Sequence, residues 1–331
     1  MKKILLTLAC VFGMSMTASA VQNSAVMLQH KGNITTYEPE QINDAIADAE
    51  DGDVIYLTTG DFPGFTVDRQ ISIKGSGMLT VIKGTVKVEN KNPDVILNNV
   101  FIGYMQINGT DGDISFYVNS RVRGFRLSQC RIVNGIRYMA ITEDSYIDRC
   151  EIQTCQCGLS INETYEETVT VDGVTSKFIR SYLKGLTVTN SWIGSGYGSN
   201  KYALGVNFIN CYILSGSHEF HLCGVKIVNS ILRHSSAFYL HKSELINSSY
   251  GDISLDNDCK LTDCYDVIID DYTSKDIYTN GYVGNDTKVI GPMGGNTPYT
   301  LEPTIPHVTN AYLSVDANKQ ELNAAITVSP K

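Results

Sequence analysis

The eight residues Val206-Asn-Phe-Ile-Asn-Cys-Tyr-Ile213 recur along the chain in altered form. The frame reads Val95-Ile-Leu-Asn-Asn-Val-Phe-Ile102, Phe125-Arg-Leu-Ser-Gln-Cys-Arg-Ile132 and Ser145-Tyr-Ile-Asp-Arg-Cys-Glu-Ile152. It reads again as Leu186-Thr-Val-Thr-Asn-Ser-Trp-Ile193 and Val225-Lys-Ile-Val-Asn-Ser-Ile-Leu232, with weaker copies over 243–250 and 259–266. The third position is apolar in every copy: Leu97, Leu127, Ile147, Val188, Phe208, Ile227, Leu245 and Leu261. The second is mostly polar. That is the period of two of a strand with one buried face. The fifth position is Asn99, Gln129, Arg149, Asn190, Asn210, Asn229, Asn247 and Asp263, and a small residue usually follows it. An amide and a small residue between two short strands mark a bend, because Asn tolerates the left-handed backbone region.

Most fifth positions lie about 20 residues apart, too close for a helical-pair repeat and right for one turn of a β-solenoid. Stacked turns would align the amides in a ladder, each hydrogen-bonding to the next. The longer intervals, 99 to 129 and 149 to 190, are a turn with an insertion or two turns of which one is degenerate. With this ladder, and with Gln41-Ile-Asn-Asp-Ala-Ile-Ala-Asp-Ala-Glu-Asp-Gly-Asp-Val-Ile-Tyr-Leu57 ahead of it, the chain resembles the pectate-lyase-like right-handed parallel β-helix superfamily over about 33–278. The resemblance implies an all-β, single-stranded right-handed solenoid with an N-terminal α-helical cap and a C-terminal β tail. It implies little about function, since that superfamily hosts lyases, hydrolases, adhesins and proteins without known chemistry.

Residues 1–20 read as a signal peptide: Lys2 and Lys3, an apolar core over 4–16, then Ala18-Ser-Ala20. The apolar run is too short for a membrane span. The mature chain is therefore expected to be exported, to the periplasm, the cell surface or the medium. Residues 21–285 are expected to form the solenoid, and 286–331 a breaker-rich linker and a β hairpin or cap. Helix is expected from Pro39 to Glu50, with Ile42, Ala45, Ile46 and Ala49 on one stripe. The acidic stretch 163–177 breaks the rhythm and reads as a projecting hairpin or loop.

The net charge of −9 argues against nucleic acid as an easy partner. Cys130, Cys150, Cys211 and Cys264 share the sixth frame position with Ser191, Ser230 and Ser248. They read as small inward residues in a stack, with a Cys130–Cys150 bridge left open because the spacing between neighbouring turns lies inside the disulfide window. Aligning the copies puts Tyr202, His221 and Tyr239 at equivalent outward positions, with Glu219 and His241 nearby. Trp192 and Tyr212 form a second stripe at position seven. Aromatic and imidazole rows suit sugar rings and their hydroxyls, so the chain is expected to be a glycan-binding protein or a surface scaffold without demonstrable catalysis, its partner a polysaccharide or surface glycan. No metal or other cofactor is called for. The alternative is a lyase or hydrolase acting on a uronate-containing polysaccharide, with His221, His241 or Arg233 as base and charge-neutralising groups; a lyase would admit Ca²⁺.

Overall fold

The computed structural model describes residues 24–109, 114–153, 159–160, 164–171, 174–181, 183–195, 206–215, 219–234, 237–273, 275–300, 307–316 and 321–329. Residues 1–20, read as a signal peptide, and Tyr202 of the expected aromatic row lie outside them.

The chain is mostly β, in β-helix-like parallel sheets. The largest has 18 strands. One line in it pairs Arg126 with Tyr146, Tyr146 with Thr187, Thr187 with Asn207, Asn207 with Lys226, Lys226 with Glu244 and Glu244 with Lys260, all in parallel register. These are the second frame positions, one rung apart. The inward third positions Leu127, Ile147, Val188, Phe208, Ile227 and Leu245 are at most 1% exposed. Leu261 breaks the pattern at 43% exposure, because Lys260–Thr262 is the last strand on its line and no further described strand stacks on it.

All eight fifth-position residues are left-handed, with φ between 46° and 55°. Their backbones carry the rung-to-rung ladder. The N–H of Arg149, Asn190, Asn210, Asn229 and Asn247 each donates to the carbonyl just before the next bend residue, at 2.9–3.0 Å. Among the described residues, the side-chain amides of Asn190 and Asn229 bond outside the ladder and not to the next amide as the sequence suggested. Asn190 donates to the carbonyls of Gly294 at 2.8 Å and Pro292 at 3.3 Å, Asn229 exchanges hydrogen bonds with Asn285, and Gln129 donates to the Thr300 carbonyl. A Cβ on Gly295 would lie 2.3 Å from the Asn210 amide nitrogen, so only glycine lets the backbone approach this closely. The segment from Asn285 to Thr300 thus runs back along the bend line, and 286–300 is packed structure rather than linker.

The sixth position is an inward stack of small groups. Ser191, Ser230 and Ser248 donate to the carbonyl two residues back at 2.7–2.8 Å. Each accepts the N–H of the sixth-position residue one rung before: Cys150, Cys211 and Ser230. Cys130, Cys150, Cys211 and Cys264 place their sulfur 3.3–3.4 Å from the same i−2 carbonyl. Thiol and hydroxyl exchange at this position because the small cavity and the carbonyl acceptor suit both. The six described cysteines are free thiols. Burial pushes the Cys211 thiol up to about 12.

The copy over 95–102 is in the wrong register. Leu97 pairs with Val122 in a separate four-stranded sheet, and Asn99 bends alongside Gly124. The residue that aligns with Gln129 is Tyr104, with φ 64°, because Gly103 pairs Ser128 and Met105 pairs Cys130. The long interval between 149 and 190 is one rung with an insertion. Tyr146 pairs directly with Thr187, and Thr164–Val171 and Val174–Ser181 form an antiparallel hairpin.

Helix occupies Ile42–Asp48 after a 3₁₀ turn at Pro39–Gln41. Gln41 Oε1 accepts the Glu38 N–H at 3.1 Å at its start. Ile42, Ala45 and Ile46 join the core of the first strands with Val26, Leu28 and Ile55. The chain divides into two units, Met1–Leu301 and Glu302–Lys331. In the second, His307–Asp316 and Glu321–Ser329 form an antiparallel hairpin. Among the described residues no helix is long and apolar enough to cross a membrane.

Candidate functional site

The His–Tyr row lies on a three-stranded parallel sheet of Glu219–Cys223, Ala237–His241 and Ser254–Leu255. His221 pairs with Tyr239, and Tyr239 with Ser254. The flanking residues Phe238 and Leu240 are at most 1% exposed, so alternation turns Tyr239 outward, where it is half-buried. The register places Glu219 beside Ala237 and Cys223 beside His241. His241 Nδ1 sits 3.3 Å from Asp256 Oδ2, with both side chains about a third exposed. The third member of the expected row, Tyr202, lies outside the described residues.

The position-seven row is covered, contrary to its reading as a sugar platform. Glu151 pairs with Trp192, Trp192 with Tyr212 and Tyr212 with Ile231. Tyr212 is only 4% exposed. It packs with Ile231, Ile269, Ile277 and Ile290, and Trp192 and Tyr272 pack against that cluster. Its phenol donates to the Asp270 carbonyl at 2.9 Å, and burial pushes it up to about 12. The covering residues all come from 265–300, distant in sequence. At one end of this row Glu151 Oε2 accepts from Arg131 Nε at 2.9 Å and from the Tyr299 phenol at 3.1 Å. Burial, then the charge of Glu151, push the Tyr299 phenol up, so it stays protonated and donates to Glu151.

At the other end stands Arg233. Its Nε donates to Asp270 Oδ1 at 2.7 Å and its Nη1 to Asp252 Oδ2. His234 Nε2 lies 3.8 Å from the same Asp252 oxygen. The guanidinium of Arg233 is thus committed to two carboxylates and ties Asp270 of the returning segment to the rungs. This is a clamp, not an open cation for a substrate carboxylate. Asp252 and Glu151 carried no local signal. The rung period would have found Glu151, 20 residues beyond Arg131 and its register partner. Asp270 comes from outside the repeat and has no such signal.

No protein-family model matches the chain, and no curated protein matches it. A solved structure, the A-module of the mannuronan C-5 epimerase AlgE6 of Azotobacter vinelandii, is similar over 69% of this chain and 74% of that one. The identity is 11% and the TM-score 0.38. A likeness this slight decides neither the fold nor the function.

Proposed function

We propose that the chain is an exported right-handed β-helix protein that binds a polysaccharide or surface glycan without chemistry of its own. The helix at Ile42–Asp48 would close its N-terminal end, where the edges of the first strands would otherwise be bare. The observation that carries the binding reading is the parallel register of His221, Tyr239 and Ser254, with Tyr239 turned out between two core residues. A ring and polar groups one strand apart match the alternating apolar faces and hydroxyls of a sugar chain.

The test is retention of the mature protein on a panel of immobilised polysaccharides. Wild type is retained, and Tyr239→Ala and His221→Ala lose retention while melting like wild type. Retention unchanged in both variants would reject the site. The lyase alternative has less support, because Arg233 is bound by two carboxylates and His241 faces Asp256. Release of unsaturated, ultraviolet-absorbing product from a uronate polymer would restore it.

A further inference from the structure

We propose that the last strand of the long sheet, Lys260–Thr262, pairs antiparallel with the same strand of a second copy of this chain, about a two-fold axis at Leu261. The pairing does not depend on the glycan reading of His221 and Tyr239, and either can fail alone.

Each rung hands hydrogen bonds to the next. The carbonyls of Ser145, Leu186, Val206, Val225 and Ser243 accept from the strand that follows, the last of them from the Lys260 N–H at 2.9 Å. The N–H groups of Arg149, Asn190, Asn210, Asn229 and Asn247 donate to the rung that follows, the last of them to the Thr262 carbonyl at 2.9 Å. Lys260 and Thr262 therefore turn their backbone groups back toward Glu244–Ile246, and alternation turns those of Leu261 forward. Among the described residues no strand lies there. The Leu261 N–H and C=O, the Cys259 carbonyl and the Asp263 N–H have no partner among the described residues.

This edge is complementary to itself. In an antiparallel pair a bonded residue exchanges both hydrogen bonds with the residue opposite. With Leu261 opposite the partner's Leu261, the two leucines exchange N–H and C=O. The Asp263 N–H then faces the partner's Cys259 carbonyl, and the reverse. Each of the unpartnered groups is bonded.

The side chains agree with the backbone. Leu261 pairs with the core residue Leu245 yet is 43% exposed. Tyr250, Ile253, Leu255, Cys259 and Cys264 are only partly buried against the same core, and Ser254–Leu255 is likewise the last strand of its sheet. At the first strands Ile42, Ala45 and Ile46 fill the corresponding place. At the last strand a second copy would set apolar groups on apolar groups.

The chain that follows leads away from this edge. It runs back along the bends until the Thr300 carbonyl accepts the Gln129 side-chain amide, and its compact unit ends at Leu301. From Leu127 to Leu261 the register takes six strand steps, which is about 29 Å at the spacing of neighbouring strands. The chain thus leaves this unit far from the open edge, and the occupant we assign to the edge is the copy. Asp258 and Asp263 flank the strand in both copies and repel across the axis, so salt should tighten the pair.

The test is the mass of the mature protein by sedimentation at rising concentration. Wild type passes from monomer to dimer below about 100 µM, and at lower concentration in high salt. Leu261→Lys sets like charges opposite each other and weakens association about tenfold or more, while its monomer melts like wild type. Leu261→Cys gives a disulfide-linked dimer on oxidation, because bonded antiparallel partners lie about 5.5 Å apart at Cα, inside the disulfide window. Wild type under the same oxidation gives none. The proposal is overturned if wild type stays monomeric, if Leu261→Lys associates as wild type does, or if Leu261→Cys does not cross-link. It is also overturned if Leu261→Cys is monomeric and its new thiol resists iodoacetamide until the protein is denatured, which would mean that the chain closes its own edge.

Discussion

Two aromatic rows of the same long sheet meet opposite fates. Phe101, Arg126 and Tyr146 follow one another in register between residues at most 1% exposed, so they face outward, and Tyr146 is 44% exposed. Trp192 and Tyr212 also occupy outward strand positions, yet Tyr212 is 4% exposed beneath residues of 265–300. The cations divide the same way. Arg126 lies on a ring, whereas Arg131 and Arg233 are tied into carboxylates beside the covered row. Strand alternation tells which residues leave the core. Whether they then reach solvent depends on a segment distant in sequence, 58 residues on at the Tyr212–Asp270 hydrogen bond.

The comparison breaks most readily at Tyr212. Truncating a large buried ring costs about 3 kcal/mol or more, so Tyr212→Ala should lower the denaturation midpoint strongly, while Tyr146→Ala should leave it within about 0.5 kcal/mol of wild type. Equal effects would mean that the covered row is not covered. Arg233→Ala comes next, at about 2 kcal/mol, because it leaves the mostly buried Asp252 carboxylate without its strongest partner. The same substitution at Arg126 removes no carboxylate partner and should cost little.

The pH dependence sharpens the contrast. Burial raises the Tyr212 phenol from 10.0 to about 12. A group whose folded value is raised contributes stability that is complete below its unfolded value and is lost as pH climbs through the folded one. Stability should therefore fall between about pH 10 and 12 in wild type, and Tyr212→Phe should shallow that fall. The buried Cys211 thiol adds its own loss from 9 upward, so the difference between the two curves is the quantity to read. The smallest effect is expected at Lys242, exposed and left-handed at φ 48°. Lys242→Gly relieves a strain of about 1 kcal/mol and should raise the midpoint slightly in chemical denaturation.

The repeat made much of this legible in the sequence. Third-position residues face the core, fifth-position residues bend, and sixth-position Cys and Ser share one carbonyl-bonded niche. Each of these follows from local chemistry repeated at a fixed step. Two features were not legible. Asn99 imitates the bend residue because an amide followed by a small residue serves either of two bends in a rung, and only pairing partners distinguish them. The amides of Asn190 and Asn229 were each expected to bond to the next amide of the ladder, but their partners Gly294 and Asn285 lie outside the repeat. Among the outward rows, the His221–Tyr239 register followed from aligning the copies. The row of Phe101, Arg126 and Tyr146 did not, because Gly103 and Tyr104 displace the true bend from the apparent frame.

Hydroxyl-radical labelling read by mass spectrometry tests the open and covered rows most directly. Tyr56 and Tyr146, 37% and 44% exposed, should be oxidised rapidly in the native protein and Tyr212 slowly, with the difference abolished in denaturant. Oxidation of Tyr212 as fast as that of Tyr146 in the native protein would contradict the returning segment's cover over the Trp192–Tyr212 row.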